Sequence, residues 1–178
     1  DEKAATLNDV VKTGRTHLMD AMPITFGQEI SAWSAQIKDL KKQLEMMQVD
    51  LQQLAVGGTA VGSGVNAHPD LSPITCKFMN EKTGMNFQPA SNAFRSISSQ
   101  DISLELSSKT KTLAVILTKI ANDLRWMNSG PLGGLGEIQL PALQPGSSIM
   151  PGKINPVIPE SVSMVAAQVI GNDTTITM

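Results

Sequence analysis

The stretch that decides the fold is residues 30–54, ISAWSAQIKDLKKQLEMMQVDLQQL. Its apolar residues are separated by alternating gaps of three and four, a period of 3.5 maintained over about four heptads. They are Ile30, Trp33, Ile37, Leu40, Leu44, Met47, Leu51 and Leu54. Such a helix carries an apolar stripe about 40 Å long, which it cannot bury against itself. The pattern predicts a long helix, ended by Gly57-Gly58, that needs long antiparallel partners from this chain or others.

Two more long helices are predicted downstream. The first stops at Asn128-Ser129-Gly130-Pro131, and its apolar face consists of Leu113, Ile116, Leu117, Ile120, Leu124 and Met127. The second begins near Pro156 and Pro159, because a helix tolerates proline in its first turn. Its apolar face consists of Ile158, Val162, Val165, Ala166, Val169 and Ile170. Gly171-Asn172-Asp173 either ends this helix or interrupts it.

The segment before the long stripe should begin as a helix. We expect that helix to run to Lys12 and to end at Gly14, followed by a polar turn as far as Pro23. Thr25 and Gln28 have the spacing of a capping box, which predicts the start of the long helix. A short helix is expected over residues 73–82.

The composition favours an all-α fold. The chain has 178 residues, of which 41% are hydrophobic and 3% aromatic, with no tyrosine and ten methionines. A net charge of −2 argues against a basic nucleic-acid surface. The lone Cys76 cannot form an intrachain disulfide, and no apolar run approaches the roughly 20 residues of a membrane span. We predict a long-helix bundle domain over residues 1–178.

Both ends of the sequence resemble helix interiors rather than natural boundaries. The start, DEKAATLNDVV, has no initiating methionine, and the end, TTITM, has no helix cap. We therefore expect a central fragment of a longer chain, with further domains upstream and downstream.

Residues 146–156, GSSIMPGKINP, combine glycines and prolines that forbid a continuous helix. Two hydroxyls, an ammonium and an amide lie between them, all suited to gripping an anion. From composition alone, an ordinary polar connector is the commoner interpretation. His17, judged by spacing alone, is likewise more often a hydrogen-bonded loop residue than a catalytic one. The glycines of residues 57–64 are a weak phosphate motif, since no strand precedes them and no GK[ST] follows.

Four segments favour a functional role over an ordinary loop, because together they resemble the fumarase/aspartase superfamily, and class II fumarases in particular. In chain order they are GRTHLMDAMP (14–23), GGTAVGSGVNAHPD (57–70), KIANDLRWMNSGP (119–131) and SSIMPGKINP (147–156). The resemblance implies that the long helices join those of other subunits in a homotetramer. It also implies active sites built from several chains.

The resemblance assigns roles to six residues. Ser147 takes the position of the base that removes a proton beside a carboxylate, with Ser148 as the fallback. Lys153 and Asn155 take positions that hold a substrate carboxylate. Two further residues, Thr16 and His17, line the same pocket, and Glu160 pairs with His17. Proton removal places two negative charges on one carboxyl group, so fixed donors there lower the barrier.

The activity implied is the reversible hydration of fumarate to (S)-malate in the tricarboxylic acid cycle. The alternative is an aspartate ammonia-lyase, which Val157-Ile158-Pro159-Glu160 also resembles, although aspartases tend to carry alanine in place of Gly152. A third hypothesis is a catalytically inactive helical oligomerisation fragment, and we expect the isolated chain to be inactive.

The expected partner is a small dicarboxylate, with no cofactor, metal, nucleic acid or membrane. The expected location is the cytoplasm, or the mitochondrial matrix in a eukaryote. We also expect residues 146–155 to close over bound dicarboxylate.

Overall fold

The computed structural model describes all residues from Asp1 to Met178 and is predominantly helical, which confirms the predicted class. The elements in chain order are α1 (Glu2–Thr6), β1 (Val11–Thr16), β2 (Met19–Thr25), α2 (Phe26–Leu51), β3 (Gln53–Leu54), α3 (Leu71–Thr83), β4 (Gln88–Pro89), α4 (Ala93–Ser98), α5 (Asp101–Met127) and α6 (Val157–Thr177). No helix is both long and apolar enough to cross a membrane.

The chain forms two compact units, and the boundary between them falls within α2 and within α5. Residues 1–40 and 110–175 make the first unit, and residues 41–109 and 176–178 make the second. All six candidate site residues lie in the first unit. A single domain over residues 1–178 stays a prediction.

Helix α2 begins where the capping box predicts. The Thr25 hydroxyl accepts a hydrogen bond from the Gln28 amide at 3.1 Å, and the Gln28 carboxamide oxygen accepts one from the Thr25 amide at 2.9 Å. Trp33, Leu40 and Met47 of the apolar stripe, one heptad apart, are buried. The predicted end is wrong by several residues, because the helix stops at Leu51 and residues 53–54 pair in parallel with residues 88–89.

The segment before α2 differs from its prediction. Helix α1 ends at Thr6, and residues 11–16 form the first strand of an antiparallel hairpin with residues 19–25. β-branched residues favour the extended conformation here, and Gly14 marks an irregularity in the strand rather than a helix end. A Cβ at Gly14 would lie 2.6 Å from the Met22 carbonyl oxygen, so the two strands can approach only because no side chain is present.

The remaining helices match their predictions more closely. The short helix expected over 73–82 is α3, and α5 ends at Met127 as predicted. Helix α6 continues through Gly171 to Thr177, so the hypothesis that it ends there is wrong. The reason lies in Asp173, which is buried and forms an ion pair with Lys111 of α5. Ala114, Ala121 and Met127 are the buried residues of α5, and of its predicted apolar face only Met127 is fully buried.

Candidate active site

Thr16 and His17 lie at the turn of the β1–β2 hairpin. His17 and Leu18 have φ angles of 54° and 62°, as in a tight hairpin turn in which both central residues are left-handed. Both Thr16 and His17 are exposed. The turn therefore presents its side chains outward, and the strands behind it must provide their support.

That support is a set of four charged residues, Lys12, Arg15, Glu29 and Glu137, which we call the ionic cluster. Arg15 donates two hydrogen bonds to the Glu137 carboxylate, from Nη2 to Oε1 at 2.6 Å and from Nη1 to Oε2 at 3.1 Å. The buried Lys12 ammonium lies 3.2 Å from Glu137 Oε2 and also contacts Glu29. The cluster is electrically balanced, and it ties the hairpin to α2 and to the segment after α5.

The environment of Lys12 explains how a buried ammonium is accommodated. Its Nζ lies 4.9 Å from the centre of the Phe26 ring and 3.3 Å from Met127 Sδ at the end of α5. The negative end of the helix dipole favours a cation at that position. Sequence reasoning missed this cluster, because Arg15 and Glu137 are 122 residues apart and no spacing links them.

Charge pairing changes the acidity of two cluster members. The hydrogen bonds from Arg15 lower the pKa of the Glu137 carboxyl below its ordinary value, and those from Lys12 act in the same direction against the effect of burial. The same contact with Glu137 raises the pKa of Arg15. Glu137 therefore remains ionised to a lower pH than an ordinary glutamate, and the cluster is intact near neutral pH.

The signature loop, residues 146–156, closes on itself. The Ser147 amide donates to the Lys153 carbonyl at 3.1 Å, and the Lys153 amide donates to the Met150 carbonyl at 3.1 Å. The Ser147 Oγ accepts from two backbone amides, those of Ile149 and Met150, each at 3.3 Å. Two amide donors near one hydroxyl oxygen would favour negative charge on that oxygen.

Lys153, Asn155 and Glu160 line one cavity of about 490 Å³, which also reaches the end of α5 at Arg125 and Asn128. The cavity therefore offers two cations, several amides and one carboxylate. Arg125 donates to the Asn122 carboxamide at 3.2 Å, the short-range contact expected from their spacing. Glu160 lies in the first turn of α6.

His17 lines a different cavity, of about 880 Å³, with Arg15, Lys119 and Asp123 among its walls. Thus the structure brings together Lys153, Asn155 and Glu160, with Ser147 on the same loop. It places Thr16 and His17 on the hairpin, and the ion pairs of the chain do not join His17 to Glu160. Their pairing stays a prediction.

Comparison with known proteins shows which family this chain belongs to. The family described as Lyase matches residues 1–171. The class II fumarate hydratase of Xylella fastidiosa (strain Temecula1) is 57% identical over 178 residues, which is 100% of this chain and 38% of that protein. A class II fumarate hydratase of Pseudomonas aeruginosa is 58% identical over 174 residues, covering 98% of this chain and 38% of that protein.

A solved structure leads to the same family. The recombinant class II fumarase from Schistosoma mansoni superposes with a TM-score of 0.96 at 37% identity, over 99% of this chain and 40% of that one. The chain thus spans well under half the length of the relatives that it matches. It belongs to the Lyase family and is similar along its whole length to class II fumarate hydratases.

Proposed function

We propose that this chain is the part of a class II fumarase that contributes the hairpin and the signature loop to the hydration of fumarate to (S)-malate. The observation that carries the proposal is the double hydrogen bond from the amides of residues 149 and 150 to Ser147 Oγ. A serine hydroxyl is a poor base unless its alkoxide is stabilised. Donors already aimed at the oxygen favour the charged form.

The other residues fit a reaction that develops negative charge on a carboxylate. In the malate-to-fumarate direction of this reversible reaction, Ser147 removes the proton beside one carboxyl group, while Lys153 and Asn155 can hold that group and stabilise the added charge. In the same direction, His17 can give a proton to the departing hydroxyl, which then leaves as water. A dicarboxylate is therefore the substrate class that we propose.

The candidate site residues line two separate cavities, which supports a site completed by further copies of the chain. His17 and Glu160 line separate cavities, so the pairing implied by the family requires a His17 from another subunit. The chain also exposes 12299 Å² of surface, whereas a folded monomer of its mass exposes about 8,400 Å². We propose a homotetramer, in which the long helices bury that excess against each other.

The proposal is tested with a chimera in which these 178 residues replace the aligned segment of the Xylella fastidiosa relative. We expect the chimera to consume fumarate, followed by its ultraviolet absorbance, and to sediment as a tetramer. The isolated chain should show negligible activity, because family segments outside it contribute to the site. A folded tetrameric chimera without fumarate turnover would contradict the assignment.

The aspartase alternative is tested in the same assay. Val157-Ile158-Pro159-Glu160 favours it, and Gly152 favours the hydratase. We expect fumarate to be converted with water alone, without a requirement for ammonium. A chimera that forms aspartate from fumarate and ammonium, but no malate, would reverse the choice. The remaining alternative, an inactive oligomerisation fragment, predicts assembly without turnover.

For the location of the activity, we propose the cytoplasm or the mitochondrial matrix, within the tricarboxylic acid cycle.

A further inference from the structure

We propose that Glu137 is a positioning residue for Thr16 and His17, acting through its two hydrogen bonds to Arg15. The proposal begins from the place of Arg15 in the chain, directly before Thr16 at the end of β1. A bidentate contact between a guanidinium and a carboxylate fixes both the distance and the orientation of the two groups. It therefore restrains the strand end from which the turn projects.

Glu137 can act as a fixed point because its own backbone is anchored. Its amide donates to the Met127 carbonyl at 2.8 Å, and the Gly136 amide donates to the Ser129 carbonyl at 2.8 Å. The first bond uses a carbonyl group that the end of α5 leaves without a helical partner, and the second uses one in the turn that follows the helix. The carboxylate is thus attached to the end of a 27-residue helix, and its side chain is only 14% exposed.

Lys12 adds a second restraint at the other end of the same strand. Its ammonium contacts both Glu137 and Glu29, so β1 is tied to the segment after α5 and to α2 at once. The hairpin turn, by contrast, makes no ion pair of its own. The orientation of His17 therefore depends on contacts made by Lys12 and Arg15, in the strand that leads into the turn.

The first test measures order at the turn in the 178-residue chain itself. The chain has two histidines, so ¹⁵N-histidine labelling gives one signal for His17 and one for His68, a loop residue of the second unit that serves as reference. We expect an order parameter near 0.85 for His17 in the wild type, falling to about 0.6 or below in Glu137→Gln. His68 should be unchanged in both. Glu45→Gln is the matched control, since Glu45 forms an exposed pair with Lys41.

A double-mutant cycle shows whether Glu137 acts through Arg15. If it does, Glu137→Gln combined with Arg15→Gln should disorder His17 no further than either single change. Glu137→Asp, which keeps the charge with a shorter reach, should be intermediate and covers the case in which another variant fails to fold. A rigid His17 in folded Glu137→Gln, or a His17 already disordered in the wild type, would overturn the proposal.

The second test uses the chimera and rests on the proposed function. We expect Glu137→Gln to lower kcat about tenfold or more with KM changed less than about threefold, because small displacements of a reacting group affect turnover strongly. Glu137→Asp should recover part of the loss. A fall in kcat no larger than that of Glu45→Gln would also overturn the proposal. If the wild-type chimera does not hydrate fumarate, the proposed function fails, and the order measurement still decides the role of Glu137.

Discussion

The hairpin of β1 and β2 and the signature loop each present part of the candidate site, yet different forces hold them. The hairpin depends on partners far away in sequence, with Glu29 and Glu137 contacting Lys12 and Arg15. The loop is closed by hydrogen bonds among residues 147–153, and Ile149 within it is 87% exposed. The hairpin part of the candidate site is therefore held by tertiary contacts, and the loop part by local backbone geometry. Mutations should therefore act differently on the two.

The largest effect is expected at the loop. Ser147→Ala in the chimera should lower kcat by about a thousandfold with little change in KM, because a general base acts in the transition state. Ser148→Ala is the matched control and should retain most of the activity. Steady-state fumarate kinetics measure both. A silent Ser147→Ala beside a crippled Ser148→Ala would transfer the role to the neighbouring residue.

At the hairpin, the expected effect is on stability and depends on pH. Glu137→Gln removes one partner of a largely buried ion cluster and should lower the free energy of unfolding by about 3 kcal/mol at pH 7. The pKa of Glu137 is lowered from its ordinary value of 4.5, so its contribution is present above pH 4.5. It is lost as the pH falls through the lowered pKa.

Thermal unfolding of the 178-residue chain at a series of pH values measures this difference. The melting temperatures of wild type and Glu137→Gln should be well separated at pH 7 and converge in strong acid. Glu45→Gln should melt like the wild type throughout. A separation that stays constant down to the acid limit would mean that the charge of Glu137 does not stabilise the fold.

A smaller effect is expected on loop mobility. In the chimera, a dicarboxylate should slow amide hydrogen exchange in residues 146–155 about tenfold, because closure excludes water and strengthens the contact with Lys153. The β1–β2 amides should change little, since the ionic cluster already holds them. Lys153→Ala should abolish the slowing. Equal slowing in both segments would remove the distinction between them.

The smallest effect is expected from Gly152→Ala. Gly152 has a φ angle of 84°, and a Cβ there would meet no atom within 4 Å. The substitution should therefore cost only about 1 kcal/mol of local backbone strain. Faster exchange of the loop amides, with an unchanged order parameter at His17, would fit this expectation. A loss of hairpin order would show that the two segments are coupled.

Some features were predictable because their causes are local in sequence. The capping box at Thr25 and Gln28 joins groups three residues apart, and the heptad spacing predicted the burial of Trp33, Leu40 and Met47. The end of α5 followed from the Asn128–Pro131 sequence. The hairpin was missed, because pairing between strands overrides the helical appearance of the residues before Lys12. The continuation of α6 was also undecided, since it depends on the Asp173–Lys111 pair.

By itself, the sequence determined the helical class and the positions of the long helices, because hydrophobic periods, capping groups and backbone restrictions act over a few residues. The resemblance to fumarases, and not a local pattern, singled out Ser147, Lys153 and Asn155 in the signature loop. Only the tertiary structure decided that Arg15 and Glu137 meet, that Lys12 is buried, and that His17 and Glu160 line separate cavities. Contacts between residues more than a hundred positions apart depend on how the elements pack, and no local spacing encodes them.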